Sequence, residues 1–156
     1  MFRSIFLALA LSASLALPSA AQEAPLRWGM SPDEVLAAAP GGRAVTRGET
    51  LDAGQVRVSA RDEVAGVSGS SRFFFSTEGL SLIEFSVRDR DCRTLAAALL
   101  EAEGQPLRIS DQGILRLVIW HDEANDQRLR LMTSIGICSL YREPLADYRD
   151  IDLADR

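Results

Sequence analysis

Apolar and polar residues alternate along several stretches of the chain, with the period of two that is typical of a half-buried β-strand. The alternation is clearest in residues 80–88, which follow a phenylalanine-rich run at residues 72–76 and a short turn that contains a glycine. These two stretches predict an antiparallel hairpin. Further strands are predicted at residues 55–60, 114–121, 128–133 and 135–141, and turns are predicted within residues 62–71.

Two other stretches carry helical signals. Ser31, Pro32 and Glu34 have the types and the spacing of a capping box with proline at the first helical position, so a short helix is predicted to begin after Ser31. Residues 92–100 repeat apolar residues at the spacing of an amphipathic helix. Gly104 follows this second helix and predicts its end, because glycine readily adopts the left-handed conformation that closes a helix.

The order of these elements, which is helix, strands, helix, strands, predicts the class of fold. We expect an α+β domain in which two helices pack on one face of an antiparallel β-sheet. Each helix is followed by strands, which also indicates two repeated α/β halves, although the halves share no residue-by-residue repeat. The domain is predicted to span residues 22–141, and residues 142–156 are predicted to be an acidic tail that is either a short helix or partly disordered.

Residues 1–21 have the composition of a signal peptide. Arg3 supplies the positive start, a short apolar run follows, and residues 19–21 are the small residues that signal peptidase requires. The apolar run is too short to remain as a membrane span. Gln22 stands after the predicted cleavage point, where a lipid anchor would need a cysteine. The sequence therefore predicts a soluble periplasmic protein with neither a membrane span nor a lipid anchor.

The charged residues limit the classes of partner. The predicted mature chain holds 16 arginines and no lysine against 22 acidic residues, which gives a net charge of −6. Without lysine, neither the phosphate contact of a P-loop nor Schiff-base chemistry is available. An acidic surface also argues against a nucleic-acid partner, because phosphate binding needs a basic face. The expected partner is a protein or a component of the cell envelope.

The two cysteines, Cys92 and Cys138, are predicted to form a disulfide. Exported proteins with an even number of cysteines usually pair them, and two cysteines allow a single intramolecular connectivity. A redox-active pair is the alternative, but the close spacing of a Cys-x-x-Cys motif is absent. The bond would join the second helix to the last predicted strand.

Catalytic, metal and cofactor sites find little support in the sequence. His121 is the single histidine, and residues 66–70 depart from a nucleophile elbow in the position of the second glycine and in the lack of a following helix. One histidine and two paired cysteines do not make a zinc site. Residues 122–126 lack the spacing of an EF-hand loop and predict a solvated hairpin turn. We therefore expect no catalytic residue, no metal and no cofactor.

Three aromatic residues, Trp28, Phe74 and Trp120, are the candidate contacts with a partner. Tryptophan is enriched at the centres of protein interfaces, although a largely buried tryptophan in the core is also common. If Phe73 and Phe75 point inward, the alternation of a strand turns Phe74 to the outer face, where the tail, a loop or a partner must cover it. The sequence leaves both roles open for all three candidates.

The helix start at residues 29–35, Gly-Met-Ser-Pro-Asp-Glu-Val, resembles a motif of exported proteins. It is similar to the Gly-Met-Thr/Ser-x-x-x-Val helix start of the small outer-membrane lipoprotein of the β-barrel assembly machinery and of β-lactamase-inhibitor-like periplasmic domains. Residues 104–106, Gly-Gln-Pro, and the later Trp120 resemble a Gly-x-Pro and a tryptophan of such proteins. The resemblance implies a similar fold and a role in protein binding. It transfers no active-site residue.

Three functions remain open from the sequence. The first is a non-catalytic binding module, the second is a hydrolase that uses carboxylates such as Glu84 or Asp122, and the third is an inhibitor whose loop at residues 122–127 enters the cleft of another enzyme. A pocket that holds two carboxylates with raised pKa values would favour the hydrolase. A shallow apolar sheet face would favour the binding module, and an exposed loop would favour the inhibitor.

Overall fold

The structure is a computed structural model that describes residues 25–154, so the predicted signal peptide at residues 1–21 lies outside the described residues. The helices are α1 (Pro32–Ala38), α2 (Cys92–Glu103) and α3 (Arg149–Ala154). The strands are β1 (Arg43–Ala44), β2 (Thr50–Leu51), β3 (Gly54–Val64), β4 (Val67–Ser76), β5 (Gly79–Ser86), β6 (Arg108–Gln112), β7 (Leu115–Asp122), β8 (Gln127–Ser134) and β9 (Ile137–Pro144). Among these residues, no helix has both the length and the apolar character that crossing a membrane requires.

One antiparallel sheet of nine strands dominates the molecule. The strands follow the order β1, β3, β4, β5, β9, β8, β7, β6, and β2 also pairs with β3. Because β5 pairs with β9, the strands before α2 and those after it join into one continuous sheet. The predicted class, an α+β domain of two helices on one face of a sheet with two α/β halves, is therefore wrong. The protein is mainly sheet, since α1 has 7 residues and α2 has 12 beside strands of up to 11 residues.

The six predicted strands are confirmed, but their extents differ and the sheet holds three further strands, β1, β2 and β6. The β4–β5 hairpin and the strands β7, β8 and β9 lie where the alternation predicts them. Residues 62–71, predicted to contain turns, form the tip of one long hairpin, in which only Ala65 and Gly66 turn, with φ values of 50° and 76°. Positive φ at both positions suits a tight hairpin turn. Gly69 lies inside β4. Its position requires glycine, because a Cβ there would come within 2.6 Å of the Phe85 ring.

The first helix, α1, begins as the sequence predicts. The Ser31 hydroxyl accepts a hydrogen bond from the Glu34 N–H, and the Glu34 carboxylate accepts one from the Ser31 N–H at 2.7 Å, which completes the capping box. Val35 is fully buried among apolar side chains of β3, β4 and β5. The helix therefore fixes the position of residues 26–30, which precede it and form one wall of the site described below.

The second helix, α2, is held by apolar packing and by a covalent bond. Leu95 and Leu99 are buried in a cluster with side chains of β5, β7, β8 and β9. The helix ends at Gly104, whose φ is 75°, as predicted. The predicted disulfide between Cys92 and Cys138 is confirmed, with a Cα–Cα distance of 5.8 Å, and it ties the first turn of α2 to β9.

The C-terminal segment packs onto the sheet as part of the domain. β9 continues to Pro144, beyond the domain end predicted at residue 141. Leu145 and Asp152 are buried, and α3 is the short helix that was one of the two forms expected for this segment. The strand extends beyond the predicted boundary because the alternation of β9 continues through charged residues. In the sequence, these charged residues resemble the start of an acidic tail.

Candidate functional site

A cavity opens where two central strands of the sheet separate. β5 and β9 stop pairing at Ile83 and Arg142, after which β9 stays with β8. The first residues of β5 pair instead with the segment before α1, through the Gly29 N–H to the Leu80 carbonyl (3.0 Å) and the Leu80 N–H to the Met30 carbonyl (2.8 Å). The space between has a volume of about 580 Å³, and we call it the Trp28–Arg142 cavity. It is lined by Leu26, Arg27, Trp28, Leu80, Ile83, Asn125, Asp126, Gln127 and Arg142.

Two glycines bring the segment before α1 directly onto β5. A Cβ at Gly79 would come within 2.2 Å of the Gly29 carbonyl oxygen, and Gly29 itself has a φ of +79°. This close approach places Trp28 so that its Nε1–H donates to the Asp126 carbonyl at 3.0 Å. The indole therefore connects the first wall of the cavity to the β7–β8 turn opposite.

Asp122 organises that turn. Its carboxylate accepts from the Asn125 side chain at 2.6 Å and from the Gln127 side chain at 2.7 Å. Burial alone would raise the pKa of Asp122, but these hydrogen bonds outweigh it and hold the pKa below its ordinary value. The Asp126 carbonyl also accepts from the Leu145 N–H at 3.2 Å, so the turn is tied down on two sides. Asp122 thus shapes the rim of the cavity and stays ionised near neutral pH.

Arg142 is the charged group in the wall of the cavity. Its Nη2 lies 3.3 Å from a carboxylate oxygen of Asp62, which already accepts from the Ser71 hydroxyl at 2.5 Å. Its Nε is buried and has no hydrogen-bond partner among the residues that the structure describes. Burial lowers the pKa of Arg142, and the Asp62 carboxylate offsets this only in part. The guanidinium is therefore a cation whose hydrogen-bonding capacity the protein leaves unfilled.

Glu84, the first hydrolase candidate, lies on the opposite face of the sheet and is buried. Its carboxylate accepts from Arg72 Nε at 2.7 Å, from the Ser139 hydroxyl at 3.1 Å and from the Tyr141 hydroxyl at 3.4 Å. Burial raises the pKa of Tyr141, and the adjacent Glu84 charge raises it further. These contacts run across neighbouring strands and place Glu84 in a structural network.

His121 is hydrogen-bonded to an acid and belongs to a network of ion pairs. Its Nε2 lies 2.9 Å from Asp152, which also accepts from Arg128 Nε at 2.6 Å and Nη2 at 2.8 Å. Arg128 bonds Glu143 as well, at 2.8 Å. The acid beside His121 thus neutralises a buried arginine and anchors α3, which is a different role from orienting a catalytic histidine.

A second cavity, of about 320 Å³, lies beside the end of α2 and includes Glu103 in its lining. Burial raises the pKa of Glu103, and the nearby Asp122 charge raises it further. The pKa of Asp122 itself is lowered, so these two carboxylates do not make the raised pair that would favour a hydrolase. Across residues 25–154, no three histidine, cysteine or acidic side chains converge as a metal site requires.

The structure separates the three aromatic candidates. Trp28 lines the cavity, partly exposed. Phe74 is fully buried under residues of the β1–β3 region and Tyr141, and Trp120 is buried with its Nε1–H donated to the Gly104 carbonyl at 3.0 Å. Phe74 and Trp120 therefore have their rings in the core, and Trp120 also borders the cavity beside the end of α2.

Sequence reasoning missed Arg142, which it assigned to the acidic tail. One signal was available: the alternation that puts Cys138 and Leu140 on the buried face of β9 puts Arg142 on the same face. A charged residue in register with two core residues is unusual and indicates either an ion pair or a site. Its separation from Asp62, 80 positions along the chain, gives no local sequence signal.

Comparison of the chain with protein-family models, with curated proteins and with solved structures found no match. The geometry of the Trp28–Arg142 cavity is therefore the main guide to the class of protein.

Proposed function

We propose that the protein is an exported, soluble binding protein that performs no catalysis and holds its ligand in the Trp28–Arg142 cavity. The observation that carries the proposal is Arg142, a guanidinium in the wall of an open cavity whose buried Nε has no acceptor within residues 25–154. Buried polar groups in proteins are nearly always hydrogen-bonded. Arg142 lines the cavity with 20% of its side-chain surface exposed and makes a single long contact with Asp62, so a ligand that completes its hydrogen bonding best explains its position.

The alternative of a carboxylate hydrolase has less support. Glu84 accepts hydrogen bonds from arginine, serine and tyrosine side chains, and Asp122 accepts them from the side chains that shape its own turn. A general acid or base needs a free position for the proton that it transfers, within reach of a substrate. The oxygens of both carboxylates instead accept hydrogen bonds from side chains of the protein itself. This favours a binding function over hydrolysis.

Export is the second part of the proposal. The leader-like composition of residues 1–21 supports it, as does the Cys92–Cys138 disulfide, because disulfides persist mainly in oxidising compartments. The resemblance of residues 29–35 to the helix start of envelope proteins supports a role in the periplasm. Cell fractionation tests this part: we expect the mature chain in the periplasmic fraction, beginning at Gln22. A full-length chain confined to the cytoplasm would contradict it.

Site-specific photo-crosslinking in living cells tests the binding function. We would place a photoreactive phenylalanine at Arg27, an exposed residue of the cavity rim. The matched control is Ile135, which is 82% exposed in the turn at the other end of β8. After irradiation and mass spectrometry, we expect a specific adduct at position 27 and none at position 135. Adducts of equal yield at both positions, or turnover of an envelope substrate with no adduct, would overturn the proposal.

An inhibitor is the second candidate, and one observation favours it. The turn at residues 123–126 is exposed, yet Asp122, Trp28 and Leu145 hold it in place through hydrogen bonds. A loop fixed in advance loses little entropy when it enters the cleft of another protein. The same crosslinking experiment, with the photoreactive group at Ala124 in this turn, separates the two functions. A crosslinked enzyme at position 124, without an adduct at position 27, would favour the inhibitor.

A further inference from the structure

The Trp28–Arg142 cavity combines an apolar floor with an arginine in its wall. Leu80 and Ile83 line it as residues that are nearly fully buried, at 2% and 4% exposure, and Leu26 and Trp28 add further apolar surface. The charged residues of the lining are Arg27, Arg142 and Asp126, and the Asp126 carbonyl is already used by Trp28. When Asp62, 3.3 Å from Arg142, is counted as well, two arginines face two aspartates, and the charge of Arg142 is balanced through this one contact alone.

The contact between Arg142 and Asp62 leaves that charge poorly compensated. The distance of 3.3 Å is long for a charge-assisted hydrogen bond, which is usually below about 2.9 Å. The Asp62 carboxylate also accepts from the Ser71 hydroxyl and from the Glu63 N–H, so its acceptor capacity is shared. By contrast, the buried Arg128 makes hydrogen bonds with two carboxylates at 2.6–2.8 Å. The protein can saturate a buried arginine, and it does not do so at Arg142.

We propose that the cavity binds a carboxylate on an apolar body, with the carboxylate against Arg142 and the apolar body on Leu80, Ile83 and Trp28. This inference rests on the proposed function and names the chemistry of its ligand. A carboxylate is favoured over a phosphate because one guanidinium, that of Arg142, lies in the wall beside the apolar floor, and a monoanion matches a single cation. A guanidinium also has the planar geometry that suits a carboxylate. A volume of about 580 Å³ lies within the usual range of small-molecule sites, about 300–1,000 Å³.

Such a carboxylate has two sources, a free alkyl acid and the C-terminus of an apolar peptide. Titrations of the ¹⁵N-labelled mature protein, followed by the two tryptophan indole resonances, distinguish them. One arm uses octanoate, with 1-octanol and octylammonium as probes of equal chain length. The other arm uses a short leucine-rich peptide with a free C-terminus and its C-terminal amide.

Trp28 and Trp120 serve as reporter and internal control in the same spectrum. Trp28 lines the cavity, whereas the Trp120 indole is buried against Gly104. We expect octanoate or the free-acid peptide to shift the Trp28 resonance, and octanol, octylammonium and the amide to bind at least about tenfold more weakly, the ratio that the loss of one charged hydrogen bond gives. The arm with the tighter binding identifies the source. Equal affinity for octanoate and octylammonium would overturn the inference.

Two matched variants separate a ligand contact from a structural ion pair. Arg142→Met should abolish the carboxylate preference, while Arg149→Met, which removes an exposed arginine paired with Glu123, should keep it. In the absence of ligand, we expect Arg142→Met to keep or raise the melting temperature, because it removes a poorly paired, half-buried charge. A marked fall in melting temperature together with an unchanged carboxylate preference would show that Arg142 stabilises the fold through its ion pair with Asp62 and does not contact the ligand. That result would overturn the inference.

The outcomes also distinguish this inference from the function on which it rests. If no probe shifts Trp28 but crosslinking at Arg27 captures a ligand without a carboxylate, the ligand class is wrong and the binding function stands. If no probe binds and crosslinking gives no specific adduct, both are wrong.

Discussion

Arg128 lies buried between two carboxylates and over an aromatic ring. Its nitrogens donate to Asp152 and to Glu143, and its guanidinium carbon lies 4.5 Å from the centre of the Tyr148 ring. A buried charge is tolerated when such partners replace the water that it loses. At the scale of single residues, Arg128 shows how this protein pairs a buried arginine with carboxylates. Arg142 differs from it, because Arg142 has one long contact with a carboxylate and an Nε without an acceptor among the described residues.

The Asp152 contact predicts a dependence of stability on pH. Burial alone would raise the pKa of Asp152, but hydrogen bonds from Arg128 and His121 outweigh it and lower the pKa. A carboxyl group with a lowered folded pKa contributes its full stability above the unfolded value, about 3.9, and loses it as the pH falls through the folded pKa. We expect Asp152→Asn to lower the free energy of unfolding by about 2–3 kcal/mol at pH 5, the range of a charged hydrogen bond. Urea unfolding from pH 5 to pH 2 measures it.

The difference between wild type and Asp152→Asn should narrow below about pH 4. The control is Asp150→Asn, because Asp150 is an exposed neighbour in α3. A difference between wild type and Asp152→Asn that stays constant down to pH 2 would show that the variant acts through packing and not through the charge.

At the scale of secondary-structure elements, the start of α1 and the turn between β4 and β5 are specified by residues close in sequence. α1 is short, and its capping box, with proline at the first helical position, specifies its beginning without any tertiary contact. The hairpin turn of β4 and β5 is equally local. These elements were predicted from the sequence because their signals lie within a few consecutive residues.

The cap of α1 can be tested by one substitution. Ser31→Ala removes the hydroxyl that accepts from the Glu34 N–H, and we expect a loss of about 1 kcal/mol in the free energy of unfolding. Thr94→Ala, at an exposed position inside α2, is the control and should change stability by less than about 0.5 kcal/mol. Equal effects of the two substitutions in urea unfolding would contradict the role of Ser31 as a cap.

The extent of the strands could not be predicted because it depends on distant neighbours. Gly69 reads as a turn residue, yet it lies in β4 where the Phe85 ring leaves no space for a side chain. The edge strands β1 and β2 have two residues each, too few to show alternation, and Ile109 is the one apolar residue of β6. The wrong fold class has the same origin, since the pairing of β5 with β9 joins residues that are far apart in sequence.

The whole molecule is tied together by a bond between its helix and its sheet. The disulfide closes a span of 46 residues that contains α2 and the strands β6, β7 and β8. Closing such a span reduces the freedom of the unfolded chain, which the chain-entropy model values at about 4 kcal/mol at most. The bond also connects the apolar cluster around α2 to the strand that carries Arg142.

Removal of the disulfide should destabilise the protein without changing its fold. We expect the double variant Cys92→Ser/Cys138→Ser to lose about 2–4 kcal/mol in the free energy of unfolding. Wild-type protein in a reducing agent should lose the same amount, which controls for the serine side chains. Insensitivity of the wild type to reduction, or two reactive thiols in the protein isolated without reducing agent, would contradict the assignment.

At this scale the site could be predicted only in part. Trp28 is a candidate from composition, and it does line the cavity. The cavity itself exists because β5 leaves β9 after Ile83 and pairs with the segment before α1, a choice of partner that no local pattern indicates. The alternation of β9 marks Arg142 as unusual, but its place in the cavity wall depends on neighbours from distant parts of the chain.

Native mass spectrometry of the mature protein, released gently from cells, tests the central claim most directly. We expect wild-type protein to carry a small organic acid or a short peptide with a free C-terminus, Arg149→Met to keep it, and Arg142→Met to lose it. The same adduct on the Arg142→Met protein, or no adduct on any of the three, would contradict the claim that the Trp28–Arg142 cavity is the functional site.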